Sequence, residues 1–170
     1  MSTTMRLSDH GKRLLEQWEG DIHHVYRDQA GLPTIGIGHL LTRSELAANT
    51  VIINGVRVPL SGEITEQQAL DLLAQDVRPT EMNVGRLLDG GPALSQNQFD
   101  ALVIFSFNVG SAGFASSTVL KRVHAGQFDQ VPDALLMWDK ITDPKTKQHV
   151  VSEELKERRN REIRLWQGEI

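Results

Sequence analysis

The stretch from Leu94 to Gly110 restricts the fold more than any other. Ser95-Gln96-Asn97-Gln98 has the form of a capping box, in which the serine hydroxyl and the glutamine side chain satisfy each other's backbone N–H groups. Leu94 and Phe99 flank it at the spacing of a hydrophobic staple. The run that follows, Ala101-Leu102-Val103-Ile104-Phe105, is apolar on every face. Such a helix is stable only when other elements cover it all round. Asn108 and Gly110 end it. Phe114, Val119, Leu120, Val123, Leu135, Leu136 and Trp138 supply covering residues, as does a last helix over 153–167 that turns Leu155, Ile163 and Trp166 inward before Gly168. Arg158-Arg159-Asn160-Arg161 reads as the solvated face of that helix. Asp139 to Val151 reads as a polar loop around Asp143-Pro144.

The residues before this region have a different character. Leu7, Leu14, Leu15 and Trp18 form one helical stripe, with Ser8 as N-cap and Gly20 as terminator. Val25-Tyr26-Arg27 and Thr34-Ile35-Gly36-Ile37 read as strands around the turn residues 28–33. The alternation of Gly36 and Gly38 with isoleucines suggests a strand that something approaches closely. Asn54-Gly55, between Val51-Ile52-Ile53 and Val56-Arg57-Val58, is a strong hairpin signal. Thr65-Glu66-Gln67-Gln68 is another capping box and opens a stripe of Ala69, Leu70, Leu73 and Val77. Pro79 should kink or end that helix, although its pattern resumes toward Leu87-Leu88. Gly90-Gly91-Pro92 is a turn. Strands cluster before Thr65 and helices predominate after it, giving an α+β class, mainly α. A length of 170 residues suits one domain with a sizeable core.

Several function classes are disfavoured. A net charge of −4 argues against bulk nucleic-acid binding, which wants a basic face. With no cysteine, the fold needs no oxidising compartment. No apolar run has the length of a membrane span or the position of a signal-peptide core. His23-His24 lacks acidic partners at ligand spacing, so no metal is expected. No nucleophile elbow or phosphate-cradling glycine loop is present.

Chemistry concentrates in Glu19 to Thr42. Taken singly, a glutamate at a helix end is usually a solvated charge, and an aspartate in a turn usually caps its own backbone. Together, a helix end and a hairpin present two carboxyl groups from nearby sequence, which is what glycosidic-bond cleavage requires. The pattern is Glu19, eight residues, Asp28, five residues, Thr34, then Ile35-Gly36-Ile37-Gly38-His39. It resembles the catalytic signature of the phage-type lysozymes and endolysins of glycoside hydrolase family 24. The resemblance continues through Leu40-Leu41-Thr42, Leu73-Ala74-Gln75-Asp76-Val77, and Asn108-Val109-Gly110 with Phe114 and Ser117.

The resemblance implies a lysozyme-like fold in a single domain over residues 1–170. A small β-containing lobe would cover about 20–64, and a connecting helix about 66–88. The helical lobe would cover about 90–170 together with helix 8–19. It implies hydrolysis of the β-1,4 bond between N-acetylmuramic acid and N-acetylglucosamine in peptidoglycan, with inversion and no cofactor. Glu19 would be the general acid, Asp28 the ionised carboxylate, and Thr34 the hydroxyl that holds water. Leu40, Phe107, Asn108 and Ser117 would contact the saccharide. His39 and Asp76 would form a structural ion pair, and Arg158 or Arg159 would lie near the acid. The segment 44–60 departs from the family pattern. The implied setting is a monomer made in the host cytoplasm, dependent on a holin, and acting in the periplasm. Three rivals share parts of this chemistry: a lytic transglycosylase, which lacks the Asp/Thr pair; a non-catalytic wall-binding module; and a delivered antibacterial toxin.

Overall fold

The computed structural model describes residues 5–170. These residues form two compact units. One is Asp9–Arg78, and the other joins the segment up to Ser8 with Pro79–Ile170.

The Asp9–Arg78 unit opens with helix α1 (Asp9–Glu19), which buries Leu14 and Leu15. Strands β1 (Ile22–Arg27), β2 (Pro33–Gly36) and β3 (His39–Leu40) follow as an antiparallel sheet in that order. Helix α2 (Arg43–Ala48) comes next, then the hairpin of β4 (Thr50–Ile53) and β5 (Val56–Pro59). The 44–60 segment is thus a short helix followed by the expected hairpin. Gln75 holds the hairpin's turn, accepting from Asn54 N–H at 2.6 Å and donating to the Ile52 carbonyl at 2.9 Å. Gly36 is where the sheet meets the next helix. Its φ is +66°, and a β-carbon there would lie 3.6 Å from the Ala69 β-carbon. The close approach expected at this strand is therefore that of a helix. α1 belongs with the strands in this unit, and Arg13 reaches Glu66 at 2.6 Å.

Helix α3 (Glu66–Leu88) runs through Pro79 without ending. Proline removes one N–H and clashes with the carbonyl four residues back, yet a helix of 23 residues has enough other bonds to continue. The Thr65/Gln68 capping box forms reciprocally at 3.0 and 2.8 Å. The division between the two units falls within α3, after Arg78.

In the second unit, helix α4 (Gln96–Val109) is capped by Ser95 and Gln98 as expected. Phe99 to Ser106 are all buried. Helices α5 (Ser111–Ala115) and α8 (Glu153–Trp166) pack on it, with α8 as its main partner, and α6 (Thr118–His124) and α7 (Val131–Leu136) join the unit through α5 and α8. The segment read as a polar loop is a hairpin instead, β6 (Lys140–Thr142) with β7 (His149–Val151). Its turn is built by Asp143, whose carboxylate accepts from Lys145 N–H at 2.7 Å, and by Lys147 at φ 60°. Polar composition hid a turn made by side-chain capping. The incoming chain is clamped to buried acids: Leu7 N–H donates to Glu81 at 2.5 Å, and the Ser8 N–H and hydroxyl both donate to Asp100.

Candidate active site

Glu19 is the last residue of α1. The helix stops there because Gly20, at φ +80°, turns the chain away after its N–H bonds the Glu16 carbonyl at 3.0 Å. The chain enters β1 and returns in β2 with Tyr26 opposite Thr34, and β3 places Leu40 opposite Thr34 on the other side. Residues directly opposite in adjacent strands share a face, so Tyr26, Thr34 and Leu40 form one row across the sheet.

Asp28 sits in the β1–β2 turn. Its Oδ1 accepts from the N–H groups of Ala30 and Leu32 at 2.9 and 2.8 Å. Arg27 adds a bond to the Gly31 carbonyl at 2.8 Å. The backbone-capping role of a turn aspartate is therefore real here, but one oxygen performs it. Oδ2 makes no hydrogen bond to another described residue. The turn thus fixes the carboxylate and leaves an oxygen for other work. Thr34 is 1% exposed, and its hydroxyl donates to the Leu32 carbonyl at 2.9 Å. With its proton committed, Thr34 Oγ1 is an acceptor.

Tyr26 connects these groups. Burial and the negative fields of Asp28, Glu19 and Asp21 hold its phenol above the usual value. Glu19, Asp28 and Asp21 thus all act on the Tyr26 phenol. The sequence offered Tyr26 only as a strand residue. Its position two residues before Asp28 was the available signal, because alternate strand residues point the same way.

His39 Nδ1 lies 2.8 Å from Asp76 Oδ2, and Nε2 lies 3.0 Å from Glu45 Oε2. Glu45 also completes a capping box with Thr42 at the start of α2. Burial alone would lower the His39 pKa, but the hydrogen bonds and charges of Asp76 and Glu45 outweigh it, and the pKa is raised. A raised histidine contributes its full stability below the unfolded value of about 6.5 and loses it as pH rises through the folded value. His39→Asn should therefore cost about 1.5–3 kcal/mol at pH 5 and much less at pH 9. Urea unfolding at the two pH values checks this, and a penalty that grew with pH would refute it.

The phage lysozyme family model matches residues 16–162, nearly the whole chain. The endolysin of Salmonella phage P22 is 34% identical over 136 residues, covering 80% of this chain and 85% of that protein. The chain belongs to the phage lysozyme family. Among solved structures, the endolysin of Escherichia coli O157:H7 phage FAHEc1 is similar, with a TM-score of 0.80 and 31% identity over 100% of this chain and 98% of that one. The muramidase domain of SpmX from Asticaccaulis excentricus gives 0.74 and 30%, covering 95% and 97%.

Other residues of this phage lysozyme family member fall less uniformly. Leu40 is 51% exposed, Phe107 is half-buried, and Asn108 is exposed. Ser117 is buried as the N-cap of α6, donating to the Phe114 carbonyl at 2.7 Å and accepting from Leu120 N–H at 3.1 Å. Its hydroxyl thus makes one donated and one accepted bond within the chain. Arg159, read as part of a solvated face, is fully buried. It pairs with the equally buried Glu162 at 2.8 Å and bonds Asn108 Oδ1 at 2.7 Å. The helical stripe Leu155, Arg159, Glu162, Trp166 carried the signal, since opposite charges on an apolar stripe mark a buried pair. His23 bonds Asp21 at 2.9 Å. Among the described residues no group of His, Asp and Glu side chains is arranged to hold a metal, and no helix is long and apolar enough to cross a membrane.

Proposed function

We propose that the chain is a muramidase that hydrolyses the β-1,4 bond between N-acetylmuramic acid and N-acetylglucosamine in bacterial peptidoglycan, with inversion. The observation that carries this reading is the turn that holds Asp28 by one oxygen and leaves the other uncommitted, beside the Tyr26–Thr34 strand pair, in a phage lysozyme family chain whose α1 ends at Glu19. Glu19 gives its proton to the glycosidic oxygen as the bond breaks. Asp28 stays ionised, stabilises the oxocarbenium-like transition state, and takes a proton from the attacking water. Thr34 Oγ1 accepts the water's other hydrogen, which aims a lone pair at the anomeric carbon. Leu40 offers apolar surface to a sugar face.

Inversion follows from giving Asp28 a water to activate. A retaining enzyme needs the second carboxylate about 5–5.5 Å from the first so that it can bond the sugar, whereas an inverting one leaves about 6.5–9.5 Å for water. The β-linked substrate should then release α-configured reducing ends first. Early-time proton NMR of digests checks this, and a β-anomer appearing first would make Asp28 a nucleophile. A 1,6-anhydro product would identify a lytic transglycosylase instead.

The setting proposed is lysis of a bacterial host, with the enzyme reaching the wall through a separate holin-type permeabilising protein. The endolysins among its relatives support this. Cells expressing the chain alone should grow until a membrane permeabiliser is added, then clear rapidly. Prompt lysis without the permeabiliser would reject the dependence.

A further inference from the structure

The β6–β7 ribbon buries none of its strand residues. Ile141 is 47% exposed and Val151 50%, with Val150 exposed beside them. Ile141 and Val150 are direct partners across the ribbon, so they share a face. A single exposed apolar residue is ordinary on a protein surface. Three β-branched residues grouped on a two-stranded ribbon, which is marginal by itself, are a different matter, because no packing holds them there. The ribbon is held at its two ends instead. At the base, Trp138 lies edge-on to Phe105 at 5.8 Å, and Ser152 N–H donates to the Asp139 carbonyl at 2.7 Å. At the turn, Asp143 N–H donates to the Gln148 carbonyl and Lys147 N–H to the Asp143 carbonyl, each at 2.8 Å.

The ribbon also reverses the charge of the chain. Residues 140–151 hold three lysines against one aspartate, a net +2 with His149 neutral, whereas the whole chain carries −4. Lys140 pairs with Asp139 at 2.9 Å. Lys145 and Lys147, at the turn, have no acidic partner among the described residues. Glu153 and Glu154 lie past the base, in the first turn of α8, so the basic end of the ribbon is its turn. We propose that this ribbon is a docking surface for an anionic phospholipid bilayer. Ile141 and Val150 enter the boundary between headgroups and acyl chains, and Lys145 and Lys147 meet the lipid phosphates. A soluble polyanion would match the lysines and leave the apolar pair in water. An apolar protein groove would cover the pair and leave the lysines unmatched. An anionic leaflet supplies both partners, and a lysine stem can lie along apolar surface while its ammonium reaches a phosphate. The docking is peripheral, since no helix among the described residues is long and apolar enough to cross a membrane. It is separate from wall cleavage and does not depend on it.

The test is cosedimentation of the full chain with vesicles of equal parts phosphatidylcholine and phosphatidylglycerol, and with vesicles of phosphatidylcholine alone. The native chain should bind the anionic vesicles about 10-fold more tightly or better. Each lysine near an anionic leaflet is worth about five-fold in partition, so Lys145→Glu with Lys147→Glu should weaken binding about 25-fold or more. Arg57→Glu with Lys121→Glu changes the net charge equally at exposed positions elsewhere. It should cost about threefold or less at an ionic strength of about 0.1 M, where charges are screened over about 10 Å. Ile141→Thr with Val150→Thr keeps the charge and the β-branching, and should weaken binding about 10-fold through lost apolar contact. All six side chains are exposed, so thermal unfolding should show every variant folded. Equal binding to both kinds of vesicle, or binding to neither, would overturn the proposal. An Arg57/Lys121 variant as weak as the Lys145/Lys147 variant would reduce the attraction to net charge and remove the ribbon as the site. Unchanged binding by the Ile141/Val150 variant would leave a polyanion contact without a bilayer and would also overturn it.

Discussion

Glu19→Gln should lower kcat on peptidoglycan by 10²–10⁴, the usual contribution of a positioned acid, with little change in folding. Glutamine keeps the size and polarity of the side chain at the end of α1 but has no proton to give the leaving oxygen. The burial of Leu14 and Leu15 and the Arg13–Glu66 contact that hold α1 are untouched by the substitution. Reducing-end release from sacculi measures the loss, and thermal unfolding serves as the control. Clearing at the native rate by Glu19→Gln would end the assignment of the acid. Loss of wall binding alongside turnover would point to the rival wall-binding module.

What the sequence made legible, and what it hid, divides by range of interaction. Signals carried by neighbouring residues hold: the Ser95/Gln98 and Thr65/Gln68 boxes, the Asn54-Gly55 hairpin, and the stop after Glu19 are all present. Each is satisfied within a few residues, so no distant partner can override it. The Thr42/Glu45 box at α2 has the same form, but the adjacent hairpin signal drew the reading past it. The hidden features depend on partners far along the chain. Nothing near Arg159 in sequence announces Asn108, 51 residues away, and a basic run is more often solvated. Tyr26 gains its place in the site only when β1 and β2 pair. The Glu/Asp/Thr pattern was legible for a different reason: its spacing identifies a family. That identification also suggested Ser117 as a saccharide contact, and its hydroxyl caps α6.

The buried Arg159–Glu162 pair should dominate the stability of the second unit when it is broken. Glu162→Ala leaves a fully buried guanidinium with Asn108, the Trp138 carbonyl and the Phe105 ring, and no counter-charge. Removing one partner of a buried pair typically costs 3–5 kcal/mol, or a fall in Tm of about 6–20 °C at this size. Replacing both charges with apolar side chains, Arg159→Met with Glu162→Leu, should recover most of that loss, because the desolvation cost disappears with the attraction. Urea unfolding of Arg159→Met, Glu162→Leu and the double closes the cycle. Additive penalties would show that the pair is not coupled. The pH response carries an independent signature. Burial pushes the Glu162 carboxyl up, to about 7, against the pull of Arg159 and Arg158. Between the ordinary carboxylate value and about 7, the folded chain then holds a proton that the unfolded chain has released, so this contribution to stability falls as pH rises through that window. Glu162→Gln cannot titrate and should lack that part of the slope. A native slope unchanged in Glu162→Gln would show that the carboxyl stays ionised beside its arginines throughout.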